Sequence, residues 1–250
     1  MITTDTQGLA VGEVQIPTQE GQIPAYWAMP AGKNSLPTVL VVQEVFGVHE
    51  YIKDVCRRLA KQGYLAVAPE LYARQGDPAS YSEIGALIKE LVSKVSDAQV
   101  MGDLDATAAW AATHGGGGKL GITGFCWGGR VVLMYAAHNA NLAAGVAWYG
   151  PIVRSYHPGD RTAVDVAAQI KVPLLGLFGG VDAGIPNETV DEFGRALKSA
   201  GNVLSQIVIY PEAGHAFHAD YRPSYRKDAA DDGWNRLTAW FKQYLLSSKS

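Results

Sequence analysis

A strand-like run, Leu120–Thr123, leads into Gly124-Phe-Cys126-Trp-Gly128-Gly-Arg130, and a helical pattern over 128–139 follows at once. A nucleophile held on so sharp a strand-to-helix turn needs small residues two positions before and after it, and Gly124 and Gly128 supply them. The helix N-terminus directs its partial positive charge at the nucleophile and at any oxyanion that forms beside it. For a thiol the same field lowers the pKa from ~8.5. The chemistry this points to is covalent acyl transfer, with Cys126 as nucleophile. The competing reading is a free cysteine packed among core glycines, because free Cys is one of the most buried residue types.

Such a nucleophile needs a base, and the base needs a carboxylate to orient it. Two later strand-like runs, 173–178 and 203–210, each end in a loop that carries one of these groups. The first loop is Gly179-Gly-Val-Asp182, and the second is Pro211-Glu-Ala-Gly214-His215-Ala-Phe217. Nucleophile, acid, histidine is the chain order of an α/β-hydrolase triad. In an open parallel sheet, loops at the carboxyl edge are where sites assemble. His218 competes with His215 for the base; Gly214 is expected to give His215 the tight turn, which favours His215. Asp191 and Glu188 compete with Asp182, but they fall in a predicted helix over about 188–200, where a solvated face is expected. Gln43-Glu44-Val45-Phe46-Gly47 follows another buried strand. The N–H groups of Trp127 and Val45 are the expected oxyanion donors. Glu44 then projects into the pocket and restrains or helps activate the thiol, or it is a loop carboxylate in water. Trp127, Trp148 and Tyr149 flank these loops and either line the pocket or pack.

These loops need a scaffold, and the remaining pattern supplies one. Gly12–Ile16 and Ile23–Met29, separated by a polar turn, predict a hairpin. Thr38–Gln43 is a continuous β-branched run, as in a strand buried on both faces. Residues 51–62 show helical spacing, with Cys56 on the apolar face beside Ile52 and Leu59, and Gly63 ends them. Further expected elements are a strand at Tyr64–Ala68, helices within 80–113 capped at Ser96 or Asp97, a strand at Leu142–Trp148 and a helix over about 228–246. The alternation from residue 38 onward predicts an α/β protein with a mainly parallel central sheet, helices on both faces and an N-terminal hairpin. Residues 150–170 read as a structureless excursion, and the whole chain, 1–250, as one domain.

Composition narrows the function. The net charge of −3 leaves no electrostatic footprint for nucleic acid and no basic patch for anionic lipid. Two cysteines, Cys56 and Cys126, make a disulfide-stapled or zinc-cluster fold improbable. No apolar run approaches the ~18–20 residues that cross a bilayer, and the first dozen residues do not form a secretory signal. A cytoplasmic protein with a small-molecule partner, no nucleic acid and no membrane is expected, as a monomer or small homo-oligomer. Three local patterns mislead. His114-Gly-Gly-Gly-Gly118 resembles an oxyanion motif but precedes the wrong strand, and reads as a turn. Gly116-x-Gly118-x-x-Gly121 matches a dinucleotide fingerprint but does not follow a strand. His215-x-x-His218 lacks a third metal ligand nearby.

With Cys126, Asp182, His215 and Glu44 in hand, the sequence resembles the dienelactone hydrolase (carboxymethylenebutenolidase) family. The matching stretches are residues 43–74, GDLDATAAW at 102–110, GFCWGGR at 124–130, WYG at 148–150 and EAGHAFH at 212–218. The resemblance implies a cofactor-free α/β-hydrolase fold, a Cys-His-Asp triad, hydrolysis of enol lactones or esters, and a glutamate, matching Glu44, that interacts with the resting thiol. It also implies two arginines for a substrate carboxylate; Ala219 and Gly85 stand at the matching positions. Arg74, Tyr149, Phe217 and Arg222 remain as candidate substrate contacts. A non-catalytic binding or sensor protein on the same fold is the alternative in another class, and a cysteine peptidase is a third reading.

Overall fold

The computed structural model describes residues 1–246. The chain groups into two compact units, one of residues 2–120 with 155–160, the other of residue 1, 121–154 and 161 onward.

In the first unit, β1 (Leu9–Thr18) and β2 (Gly21–Pro30) form the expected hairpin, antiparallel with Val14 opposite Ala25 and Ile16 opposite Ile23. Both strands run beyond the predicted limits because pairing continues to the turn, where Thr18 meets Gly21. β3 (Leu36–Val42) lies parallel to β4 (Leu65–Pro69), and the strand order is β1-β2-β4-β3. Val39–Val42 and all of β4 are buried, as expected of strands covered on both faces. Helix α1 (Glu50–Lys61) packs on β2, β3 and β4 and buries Ile52, Val55, Cys56 and Leu59 completely. Burying side chains of this size contributes ~1.5–3 kcal/mol each. Cys56 is a core residue, as its helical position predicted.

Helix α2 (Ile84–Glu90) is short, and α3 (Asp97–Thr113) is capped by Ser96, whose Oγ accepts from the Gln99 N–H at 3.2 Å. α3 lays Ala111 and Trp110 against Ile16, Ile23, Ala25, Leu65 and Val67. Leu65 and Val67 therefore face α3, and the alternating pleat turns Ala66 to the opposite face of β4.

The chain enters the second unit within β5 (Gly116–Phe125). This corrects the reading of the glycine run as a turn. Gly115, with φ +105°, makes the turn, and Gly116–Gly118 are already strand. They are glycines because the backbone passes so close: a Cβ on Gly116 would sit 2.6 Å from the Ala111 oxygen, and one on Gly118 2.9 Å from the Pro37 nitrogen.

The second unit continues with α4 (Trp127–His138), β6 (Leu142–Trp148), the single-turn α5 (Ala163–Val166), β7 (Leu174–Gly179), α6 (Asn187–Ser199), β8 (Gln206–Tyr210) and α7 (Lys227–Phe241), which ends in a π-helical turn, Lys242–Leu246. Its strands run in the order β5-β6-β7-β8, with β6, β7 and β8 parallel. β8 begins three residues later than predicted. Asn202 ties its side-chain amide to the Ile170 and Val172 carbonyls, and Val203 and Leu204 stay exposed. α5 lies in the stretch expected to be structureless. Thr162 and Asp165 form a reciprocal capping box there, a pattern legible as Thr-x-x-Asp in the sequence. Arg130, nearly fully buried on α4, donates to the Arg154 and Arg161 carbonyls and anchors both ends of the intervening segment.

Candidate active site

Cys126 sits between β5 and α4 with φ 57° and ψ −117°. A non-glycine residue there carries ~1–3 kcal/mol of strain, which the surrounding structure must hold. The holding contacts are backbone. The Cys126 N–H donates to the Trp148 carbonyl at 3.0 Å. A Cβ on Gly129 would lie 2.4 Å from that same oxygen, and Gly150 crosses the α4 backbone at equally close range. Gly129 is thus a glycine required by close approach, one position beyond the spacing emphasised in the sequence. Trp127 opens α4, so its N–H lies in the first turn at the helix N-terminus.

The loops after β7 and β8 are pressed together by glycines. A Cβ on Gly179 would meet the Ala213 oxygen at 2.5 Å, and one on Gly180 the Pro211 Cα at 2.7 Å. The Val181 N–H also donates to the Ala213 carbonyl at 3.1 Å. This packing sets Asp182 against His215. Asp182 Oδ1 accepts from the Gly184 N–H at 2.9 Å, and Oδ2 lies 2.7 Å from His215 Nδ1. The other imidazole nitrogen, Nε2, lies 3.1 Å from Cys126 Sγ. Burial works against the charged imidazole, but the Asp182 and Cys126 contacts outweigh it and push the His215 pKa up to about 10. The left-handed residue of the histidine loop is Ala216, at φ 61°, not Gly214 as expected.

The rival residues lie elsewhere. His218 is buried among the rings of Trp148, Phe125 and Trp234, with centroids 4.4–5.7 Å away. Glu188 and Asp191 are exposed on α6. Tyr149, at φ 39°, sets its ring edge-on to His215 at 5.3 Å, and Phe217 packs against Tyr149 at 5.2 Å. Arg222 lies on the turn after the histidine loop, its N–H bonded to the Ala219 carbonyl.

Glu44, Val45 and Arg74 belong to the other unit. Glu44 is fully buried, so the reading of a loop carboxylate in water does not hold; its Oε2 lies 3.3 Å from His49 Nε2. Val45 is buried in the same loop after β3. Arg74 is engaged by Asp103, with Glu20 at 3.6 Å and Thr18 Oγ1 at 3.4 Å. Sequence reasoning missed His49, and it missed Glu70, which accepts from the Val48 N–H. Glu70 reaches Val48 across the intervening helix and strand, and His49 returns to Glu44 within one loop whose path no local pattern encodes. Among the described residues, no group of three or more His, Cys, Asp or Glu side chains is arranged to hold a metal ion, and no helix is long and apolar enough to cross a membrane.

Known proteins resemble this chain over nearly its whole length. The Dienelactone hydrolase family matches residues 23–245. A Methylorubrum extorquens protein named "Putative carboxymethylenebutenolidase" is 59% identical over 97% of this chain and 84% of its own. A Yersinia pestis protein of the same name is 54% identical over 97% of this chain and 92% of its own. The crystal structure of "Putative Dienelactone Hydrolase from Klebsiella pneumoniae subsp. pneumoniae MGH 78578" has 56% sequence identity and a TM-score of 0.91, covering 94% of this chain and 99% of that one. With a family match over nearly its whole length and relatives of this identity, the chain has the α/β-hydrolase fold and belongs to the dienelactone hydrolase family.

Proposed function

We propose that this family member hydrolyses a small ester or enol lactone through a Cys126–His215–Asp182 triad and a thioester acyl-enzyme. The observation that carries the reading is His215, within hydrogen-bond reach of Asp182 on one side and of the Cys126 sulfur on the other. Asp182 fixes the imidazole with its proton on Nδ1, so Nε2 takes the thiol proton and a thiolate–imidazolium pair results. The sulfur attacks the carbonyl carbon, and the carbonyl π electrons move to oxygen. The N–H groups of Trp127 and Val45 receive that oxyanion, each worth ~2.7–4 kcal/mol. Collapse re-forms the carbonyl and breaks the bond to the leaving oxygen, which takes the His215 proton; in a lactone this oxygen stays tethered to the acyl group. Water then gives a proton to His215 and attacks the thioester, releasing the acid and the thiol. Glu44, by resemblance to the family's glutamate, restrains the thiol in the resting enzyme.

The same reading assigns the substrate a weak or absent requirement for a carboxylate. Ala219 and Gly85 stand where the family carries anion-binding arginines, and Arg74 is held by Asp103. Tyr149 and Phe217 have no exposed surface and serve as packing, which leaves Arg222 as the candidate substrate contact. Two free cysteines, one of them the nucleophile, suit the reducing cytoplasm. The unit boundary falls inside β5, which favours one folding domain, and a single calorimetric transition is expected. The test of function is turnover of p-nitrophenyl acetate and of a panel of lactones and esters, with and without a carboxylate. Wild type should turn over neutral members at least as well as anionic ones, and Cys126→Ala none. Equal activity in Cys126→Ala would refute the mechanism. A strong preference for the free acid that collapses in Arg222→Ala or Arg74→Ala would show that the anion site has moved to that arginine.

A further inference from the structure

The loop after β3 and the segment after β4 are tied by a reciprocal pair of side-chain contacts. Gln43 has no exposed surface, and its Oε1 accepts from the Leu71 N–H at 3.1 Å. In the opposite direction, both Glu70 carboxylate oxygens accept from the Val48 N–H, at 3.2 Å each. Between these ties Gly47 turns the chain at φ +79°, so close that a Cβ would lie 2.9 Å from Pro78 Cγ and 3.2 Å from Glu70 Oε2. Glu44 and Gly47 are themselves bridged. The stretch Glu44–Phe46 is therefore gripped at both ends. Phe46, Val48 and Glu70 also line an open cavity of about 630 Å³. Val48 itself is buried, and Glu70 is the side chain that ties its N–H beside this cavity.

We propose that Glu70 is a positioning residue: together with Gln43 it clamps the loop whose Val45 N–H receives the oxyanion. The proposal rests on the acyl-transfer reading above and goes beyond it by naming what preorganises one of the two donors. A donor aimed in advance is effective because it need not reorganise as charge develops. A displacement of ~1 Å at such a group costs ~10²-fold in rate.

The experiment uses Glu70→Ala and Glu70→Gln in the full chain, with two readouts. One is kcat and KM for p-nitrophenyl acetate. The other is the rate of Cys126 alkylation by iodoacetamide, which displaces iodide at a saturated carbon and forms no oxyanion. Glu70→Ala should lower kcat by ~10–10²-fold, with KM and the alkylation rate within about twofold of wild type. Glu70→Gln keeps a carbonyl oxygen that accepts the Val48 N–H, and should restore most of the loss. If Glu70→Ala does not fold, Glu70→Asp, which keeps the charge but shortens the reach, carries the test with the same criteria. Wild-type kcat in Glu70→Ala would overturn the proposal. So would an equal loss of alkylation, which indicates general loosening, or a Gln variant as impaired as Ala. Failure of the underlying mechanism is separately visible, as turnover retained by Cys126→Ala.

Discussion

Adding one methyl group at Gly129 tests the packing that holds the thiol turn. A Cβ there would lie 2.4 Å from the Trp148 carbonyl oxygen and 2.9 Å from the Gly150 nitrogen and Cα. Both partners are backbone, so no side chain can rotate away, and the start of α4 must move from the end of β6 by roughly half an ångström or more. The Cys126 N–H donates to the same Trp148 oxygen, so the shift is delivered to Cys126. Overpacking of this kind costs ~1–3 kcal/mol. At ~2–4 °C per kcal/mol for a chain of this size, Tm should fall by ~2–12 °C. If ~1 Å of misplacement costs ~10²-fold, half of that costs about tenfold in kcat. Thermal melts followed by circular dichroism and turnover of p-nitrophenyl acetate measure both. Gly102→Ala is the matched control, because its Cβ meets nothing within 4 Å on α3. Helix propensity should make that variant more stable by ~0.5–1 kcal/mol. A Gly129→Ala protein with wild-type Tm and kcat would refute the argument that this backbone approach sets the turn.

Three further outcomes are expected. Asp182→Asn keeps the shape but removes the charge that helps hold His215 protonated, and should cost up to ~10⁴-fold in kcat; a loss below tenfold would contradict the assignment. Iodoacetamide should label Cys126 before Cys56, whose thiol is pushed well above its ordinary range by complete burial, as peptide mass mapping of a partial reaction would reveal. Because the His215 pKa is raised, from 6.5 to about 10, the imidazolium persists through neutral pH and is lost as pH rises through about 10. kcat/KM followed by pH-stat on a stable lactone should therefore fall over that window; activity that instead rises with pH through 6.5 would mean that the neutral imidazole is the working form.

Much of the site was legible because its residues are punctuated locally. A buried strand followed by Gly-x-Cys-x-Gly and a small-residue helix has few other uses, and the structure puts Cys126 on the strained turn that this pattern implies. Asp182 and His215 were legible by chain order and by their glycine-rich loops. The reason for the glycines was misread. Gly116–Gly118 are needed because β5 passes close to Ala111 and Pro37, not because the run must turn, and Gly179 and Gly180, read only as part of a glycine-rich loop, are needed because the loop after β8 passes against them. Such contacts depend on three-dimensional approach, which periodicity does not report. The same holds for Glu44 with His49 and for Glu70 with Val48, which are made across loops whose paths the sequence leaves open.

The central claim is that Cys126 carries the acyl group. Mixing the protein with p-nitrophenyl acetate, quenching in acid within the first turnovers and mapping the peptides by mass tests it most directly. The account predicts an acetyl group on the peptide that contains Cys126, labile to hydroxylamine as a thioester is, and neither adduct nor turnover in Cys126→Ala. An adduct on any other residue, or a Cys126→Ala protein that turns over at the wild-type rate, would contradict it.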